Sequence, residues 1–203
     1  MIIKEACVGS IEAAIEAEKM GADRLEICER LDIGGITPSE TFLERAASLV
    51  SLPIVVMIRP RGGGFIYNPH ELELMVENIY RCKALGYYGV ALGTLTHGGK
   101  INMPQMRKLM NAAKGMSVTF HMAFDEVHDM SESMKRLIEL GVDRILTRGG
   151  ERSALEGSAT IRRMVELSEG RIGIMPGGGV TRENYIKLTQ STGTREVHGT
   201  KIV

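Results

Sequence analysis

Two short segments carry matched pairs of reactive side chains, Glu5-Ala6-Cys7-Val8 and Glu26-Ile27-Cys28. Side chains along a strand alternate faces, so Glu5 shares a face with Cys7, and Glu26 shares one with Cys28. Two thiols on adjacent strands, ~4.8 Å apart, can share a soft ion such as Cu(I), close a disulfide or simply fill interior space. His198 could add a third donor to such a site. Two carboxylates in a partly dry interior push their pKa values apart, leaving one able to move a proton near neutral pH. Glu5 and Glu26, with His121 and His198 as bases, are therefore the candidates for proton transfer. Arg59 and Arg61 can grip a carboxylate or phosphate bidentately, and Gly177-Gly178-Gly179 can bring backbone amides close to an anion or merely form a tight turn. Asp125 and Thr147, which follow two further apolar runs, complete the candidate substrate-binding set.

These residues must be positioned by something, and the chain supplies a regular alternation. The expected strands are Ile2–Val8, Arg24–Ile27, Ile54–Arg59, Gly89–Leu92, Ser117–His121, Arg144–Thr147, Arg171–Met175 and Glu196–His198. Between them lie amphipathic segments predicted as helices: Ile11–Met20, Glu40–Leu49, Glu71–Leu85, Met103–Ala113, Met130–Leu140, Ala159–Ser168 and Arg182–Thr189. Ser10 and Ser39 are predicted N-caps, and Pro69 suits the opening of the third helix. Three helix exits share one pattern: Met20-Gly21-Ala22-Asp23-Arg24, Leu85-Gly86-Tyr87-Tyr88-Gly89 and Leu140-Gly141-Val142-Asp143-Arg144. A repeated helix-to-strand hinge, with no linker dividing the chain, predicts one α/β domain over residues 1–203.

Eight such units make a (β/α)8 TIM barrel, in which functional groups gather at the C-terminal ends of the strands. An open doubly wound sheet would need a glycine-rich nucleotide turn after the first strand, and Val8-Gly9-Ser10-Ile11 is not one. No lysine occupies an expected inward position, which argues against a Schiff-base aldolase. The sequence ends at Lys201-Ile202-Val203 without an eighth helix. Either a tail follows, or strands eight and one expose an apolar flank that a second subunit covers, which predicts a homo-oligomer.

Composition narrows the functional classes. Formal net charge is zero and 43% of residues are hydrophobic, so nothing suggests nucleic acid or an anionic membrane as a partner. No apolar run approaches the roughly 18–20 residues of a membrane span, and the first residues lack a signal-peptide pattern. Three cysteines without a paired framework suggest the cytoplasm. Met103, Met106 and Met110 recur at helical spacing, which reads as core filler, and Cys82 reads as structural.

Several segments together resemble the CutC family of copper homeostasis proteins. They are Glu5 to Val8, Gly21 to Cys28, Gly34 to Ser39, Met57 to Gly63, Thr119 to His121, Ala123 to Asp125, Gly177 to Val180 and Glu196 to His198. The resemblance implies a cytosolic (β/α)8 barrel that handles copper, binds Cu(I) through Cys7 and Cys28, oligomerises and uses no organic cofactor. The chain departs from the family pattern at Gly64, where Asp is common, and at Met122, where Arg is common. The competing expectation is a metal-independent lyase or isomerase. It would act on a small phosphorylated or carboxylated substrate at the C-terminal face of the barrel.

Overall fold

The computed structural model describes residues 1–203. Eight parallel strands alternate with seven helices: β1 (Ile3–Val8), α1 (Ile11–Lys19), β2 (Arg24–Ile27), α2 (Glu40–Leu49), β3 (Ile54–Met57), α3 (Pro69–Ala84), β4 (Gly89–Leu92), α4 (Met103–Ala112), β5 (Ser117–Phe120), α5 (Met130–Leu140), β6 (Arg144–Thr147), α6 (Ser158–Ser168), β7 (Gly173–Pro176), α7 (Tyr185–Thr192) and β8 (Glu196–Gly199). The hydrogen-bonded order runs β7-β6-β5-β4-β3-β2-β1-β8. No ladder joins β7 to β8, but a Thr181–Lys201 bridge and an Arg182 N–H to Lys201 carbonyl bond of 2.9 Å link the loops above that seam. The result is a nearly closed TIM barrel.

The alternation of side chains explains the layers. Outward residues such as Ala6, Leu25, Ile27, Val56, Leu92, Phe120, Ile145 and Val197 merge with the apolar faces of the helices into one continuous core. Inward residues form a second, separate apolar group of only Cys7, Cys28, Val55, Met57 and Ala91. Much of the remaining interior is polar: Glu5, Arg24, Glu26, Thr119, Arg144 and His198 are all buried. Charged groups are seldom buried without partners, so their concentration at the axis is a functional signal.

Several boundaries differ from expectation for identifiable reasons. Helix α3 starts at Pro69 because Asn68 and Glu71 form a reciprocal capping box. Ser10 caps α1 as expected, accepting from the Ala13 N–H at 3.1 Å. Ser39 does precede α2 but makes no cap bond, because its hydroxyl donates to Glu29 Oε1 at 2.6 Å. Helix α7 begins three residues late, since Asn184 Oδ1 accepts from the Thr181 N–H and pins a turn there. Strands β3 and β5 end before Arg59 and His121, which belong instead to the loops over the mouth. Arg59 N–H donates to Thr37 Oγ1 at 2.8 Å, and His121 caps a 3-10 turn at Met122–Glu126.

The expected apolar flank at β8 and β1 is not exposed. Val197, Ala6 and Ile202 are buried within this single chain, with α1 against β1 and α7 against β8. That flank therefore supplies no argument for a covering subunit. No helix is long and apolar enough to cross a membrane.

Candidate functional site

Parallel pairing in fixed register brings the strand-end residues together. Glu5 lies opposite Arg24 on β2 and opposite His198 on β8, while Cys7 lies opposite Glu26. Above this layer is a cavity of about 130 Å³ at the C-terminal mouth. Cys7, Glu26, Cys28 and His198 form one wall; Arg59, Phe65 and His121 form the other; Leu31, Met57, Met122 and Leu146 are apolar fill.

On the first wall the two sulfurs are 3.9 Å apart, and Cys7 Sγ–H points to Glu26 Oε1 at 3.5 Å. That separation is far beyond a disulfide bond of ~2.05 Å, and both thiols are free. Single ligand atoms of Cys7, Glu26 and His198 all lie within 4.8 Å of one another. A soft, sulfur-seeking ion fits this donor set, with two thiols, an imidazole and a carboxylate facing one small space. Glycine is required here too: Gly35 has φ +80°, and a Cβ on it would press Cys28 Sγ at 3.1 Å.

Beneath the thiols runs a buried ion chain. His198 Nδ1–H donates to Glu5 Oε1 at 2.8 Å, and the other Glu5 oxygen accepts from Arg24 Nε. Arg24 continues to Glu196 at 2.5 Å, and Arg144 lies 3.2 Å from the same Glu196 oxygen while donating to Ser117 and Thr119 hydroxyls. Burial alone would raise the Glu5 carboxyl, but the His198 hydrogen bond and the Arg24 charge outweigh it and hold its pKa at about 2. Glu26 shows the opposite balance, raised by burial and the Glu5 charge against the pull of His198. His198 is lowered by burial, yet the Glu26 charge and the Glu5 bond lift it above its ordinary value. Cys7 is pushed up by its hydrogen bond with Cys28, by burial and by Glu26, so it rests as a thiol.

The second wall is cationic. Arg59 Nη1 donates to the carbonyls of Ile33, Gly34 and Gly35 at 3.0–3.1 Å, and Nη2 to that of Gly63 at 2.6 Å. The guanidinium carbon sits 4.8 Å from the Phe65 ring centroid. His121 Nδ1 accepts from the Ala123 N–H at 3.2 Å, which leaves Nε2 to carry the proton of the neutral ring. Burial, reinforced by Arg59, lowers the His121 pKa to about 3.

The other sequence candidates lie elsewhere. Arg61 is half-exposed and braces its own loop, pairing with Glu71 at 2.5 Å and donating to the Gly62, Gly64 and Ile66 carbonyls. Asp125 accepts from the Thr147 hydroxyl at 2.6 Å and from the Arg148 and Gly150 N–H groups, so this pair ties two loops together outside the cavity. Gly177 is a packing residue, since a Cβ there would lie 2.5 Å from Leu146 and 2.9 Å from Met122. Gly178 and Gly179 do border a second hollow of about 400 Å³ beside His198, Thr200 and Lys201. Sequence reasoning missed Arg24 and Phe65. Arg24 was in alternation with Glu26 and Cys28 and could have been found; Phe65, on an irregular loop, gave no signal.

Fold and site together define a TIM-barrel protein with a thiol, imidazole and carboxylate cluster at its C-terminal mouth. The CutC family model matches residues 2–203, and the chain belongs to that family. It is 43% identical over 196 residues to a human protein named copper homeostasis protein cutC homolog, covering 97% of this chain and 72% of the relative. A CutC family protein from Parabacteroides distasonis is 45% identical over 197 residues, covering 97% and 81%. The solved structure of a putative copper homeostasis protein CutC from Streptococcus agalactiae superposes with TM-score 0.96 at 38% identity, covering all of both chains. A solved aldolase, at TM-score 0.72 and 12% identity, shares the fold alone, covering 97% of this chain and 89% of the other.

Proposed function

We propose that this chain is a copper homeostasis protein that binds Cu(I) in the barrel mouth through Cys7 and Cys28, with His198 and Glu26 as adjoining donors. The observation that carries the reading is the 3.9 Å approach of two buried free thiols beside an imidazole and a carboxylate. Thiolate is the preferred partner of Cu(I). Cys7 is a thiol at rest, so loading the ion expels protons. The cytoplasm, where thiols stay reduced, suits this task. Names carried by the relatives support the copper role.

The same residues serve proton transfer less well. Glu5 is held at about 2 and doubly engaged, and His121 is held at about 3 with Nδ1 committed to the backbone. Neither takes up a proton readily near neutral pH. A lyase or isomerase would have to rely on Glu26 and His198 alone.

The test is a Cu(I) titration of reduced protein against a competing chelator, for wild type and Cys7→Ser/Cys28→Ser. Expected is a loss of at least about a hundredfold in affinity in the double variant, of the order seen when metal-site partners are removed. Equal affinities would end the proposal.

A further inference from the structure

Buried polar atoms are paired as a rule, and beside Phe65 two N–H donors break it: Arg59 Nε and His121 Nε2. The residues are 5% and 2% exposed, and both line the 130 Å³ cavity. Both also flank Phe65, whose centroid lies 4.8 Å from the Arg59 guanidinium carbon and 4.9 Å from the His121 ring. The other hydrogen bonds of these side chains are already committed. Every partner of the Arg59 Nη atoms is a neutral carbonyl, so its charge has no carboxylate beside it. His121 Nδ1 is held by Ala123. Gly93 makes room for the ring, since a Cβ there would come within 2.9 Å of it. One positive charge, two unpartnered N–H donors and an apolar ring are complementary to a carboxylate.

We propose that this wall is a subsite for a small monocarboxylate. One carboxylate oxygen accepts from Arg59 Nε–H, the other from His121 Nε2–H, and the hydrocarbon part rests against Phe65. A phosphate or sulfate dianion would bring more acceptor oxygens than the two free donors can satisfy and twice the compensating charge. A cavity of about 130 Å³ suits a small ligand. The subsite shares a cavity with the proposed copper site but rests on different residues. Its test uses copper-free protein, so each reading can fail alone.

Copper-free, reduced wild type, labelled with 15N-histidine, is titrated at constant ionic strength with propionate, its neutral isostere propionamide, and methylphosphonate. The expected result is saturable movement of the His121 ring signals with propionate, at millimolar affinity as suits so small a ligand. Propionamide should bind at least tenfold more weakly. His121→Asn, which keeps an acceptor for the Ala123 N–H but cannot reach the ligand, should also lose at least tenfold. Equal response to propionate and propionamide, or an unsaturable drift, overturns the proposal. Tighter binding of methylphosphonate overturns the carboxylate assignment. The comparison of probes on wild type decides the matter even if the variant is unstable.

Discussion

His198 and His121 face one cavity, both deeply buried, and they treat the proton in opposite ways. His198 stands among Glu5, Glu26 and two thiols, and those acids lift its proton affinity despite burial. For His121 burial is the largest cause and the Arg59 charge adds to it, so its pKa falls to about 3. Burial alone predicts the same sign for both. The difference is therefore made by neighbours: an acidic, soft-donor wall from β1, β2 and β8, and a cationic wall from the loops after β3 and β5. The mouth thus presents thiols, carboxylate and a protonatable imidazole on one wall and a guanidinium with a neutral imidazole on the other.

The strongest way to break the contrast is to remove the cation that holds the acidic wall together. Arg24→Met leaves the buried Glu5 and the partly buried Glu196 without their shared partner, and should cost about 3–5 kcal/mol in urea-denaturation stability. A loss below about 1 kcal/mol would mean that the ion chain is dispensable.

Acid sharpens the comparison from the other side. His121 takes a proton near 6.5 when unfolded but near 3 when folded, so the unfolded state binds more protons in between. Its contribution to stability is present above pH 6.5 and is lost as pH falls toward 3, roughly 2–3 kcal/mol of it by pH 4.5. Glu5, lowered from 4.5 to about 2, adds a loss only below about pH 4.5. His121→Asn should flatten the stability curve between pH 6.5 and 4.5 while leaving the steeper fall below it. An unchanged slope would remove His121 from this account.

A smaller effect isolates the acidic neighbour. Glu26→Gln should lower the His198 pKa, since the Glu26 charge is one of the groups that lift it, read in an NMR titration of its ring protons. If His198 does not move, its proton is held by Glu5 alone. The smallest effect is expected at Arg61. Arg61→Ala removes a half-exposed pairing with Glu71, should cost less than about 1 kcal/mol, and should leave Cu(I) affinity unchanged.

Much of this architecture was legible in the linear chain. Period-2 alternation put Glu5 with Cys7 and Glu26 with Cys28, and the repeated glycine hinges counted out the βα units. Cys82 and the Met103, Met106 and Met110 stripe pack against the core as the helical spacing implied. The irregular segments were harder. Asp125 and Thr147, read as candidate ligand groups, bond to each other and lie outside the cavity, and Arg61 looked equivalent to Arg59 although only Arg59 lines the cavity. Both arginines flank Pro60, and nothing local distinguishes them.

The sequence by itself determined which residues share a strand face and how many βα units wind the barrel, because alternation and helix-end chemistry act over a few neighbouring residues. Only the tertiary structure decided that Arg24 would neutralise Glu5 and Glu196, that His198 would be proton-loving and His121 proton-poor, and that three glycines would divide between packing and lining a hollow. Those outcomes depend on strand register and on the charges that meet across a low-dielectric interior, where residues far apart in the chain set each other's ionisation.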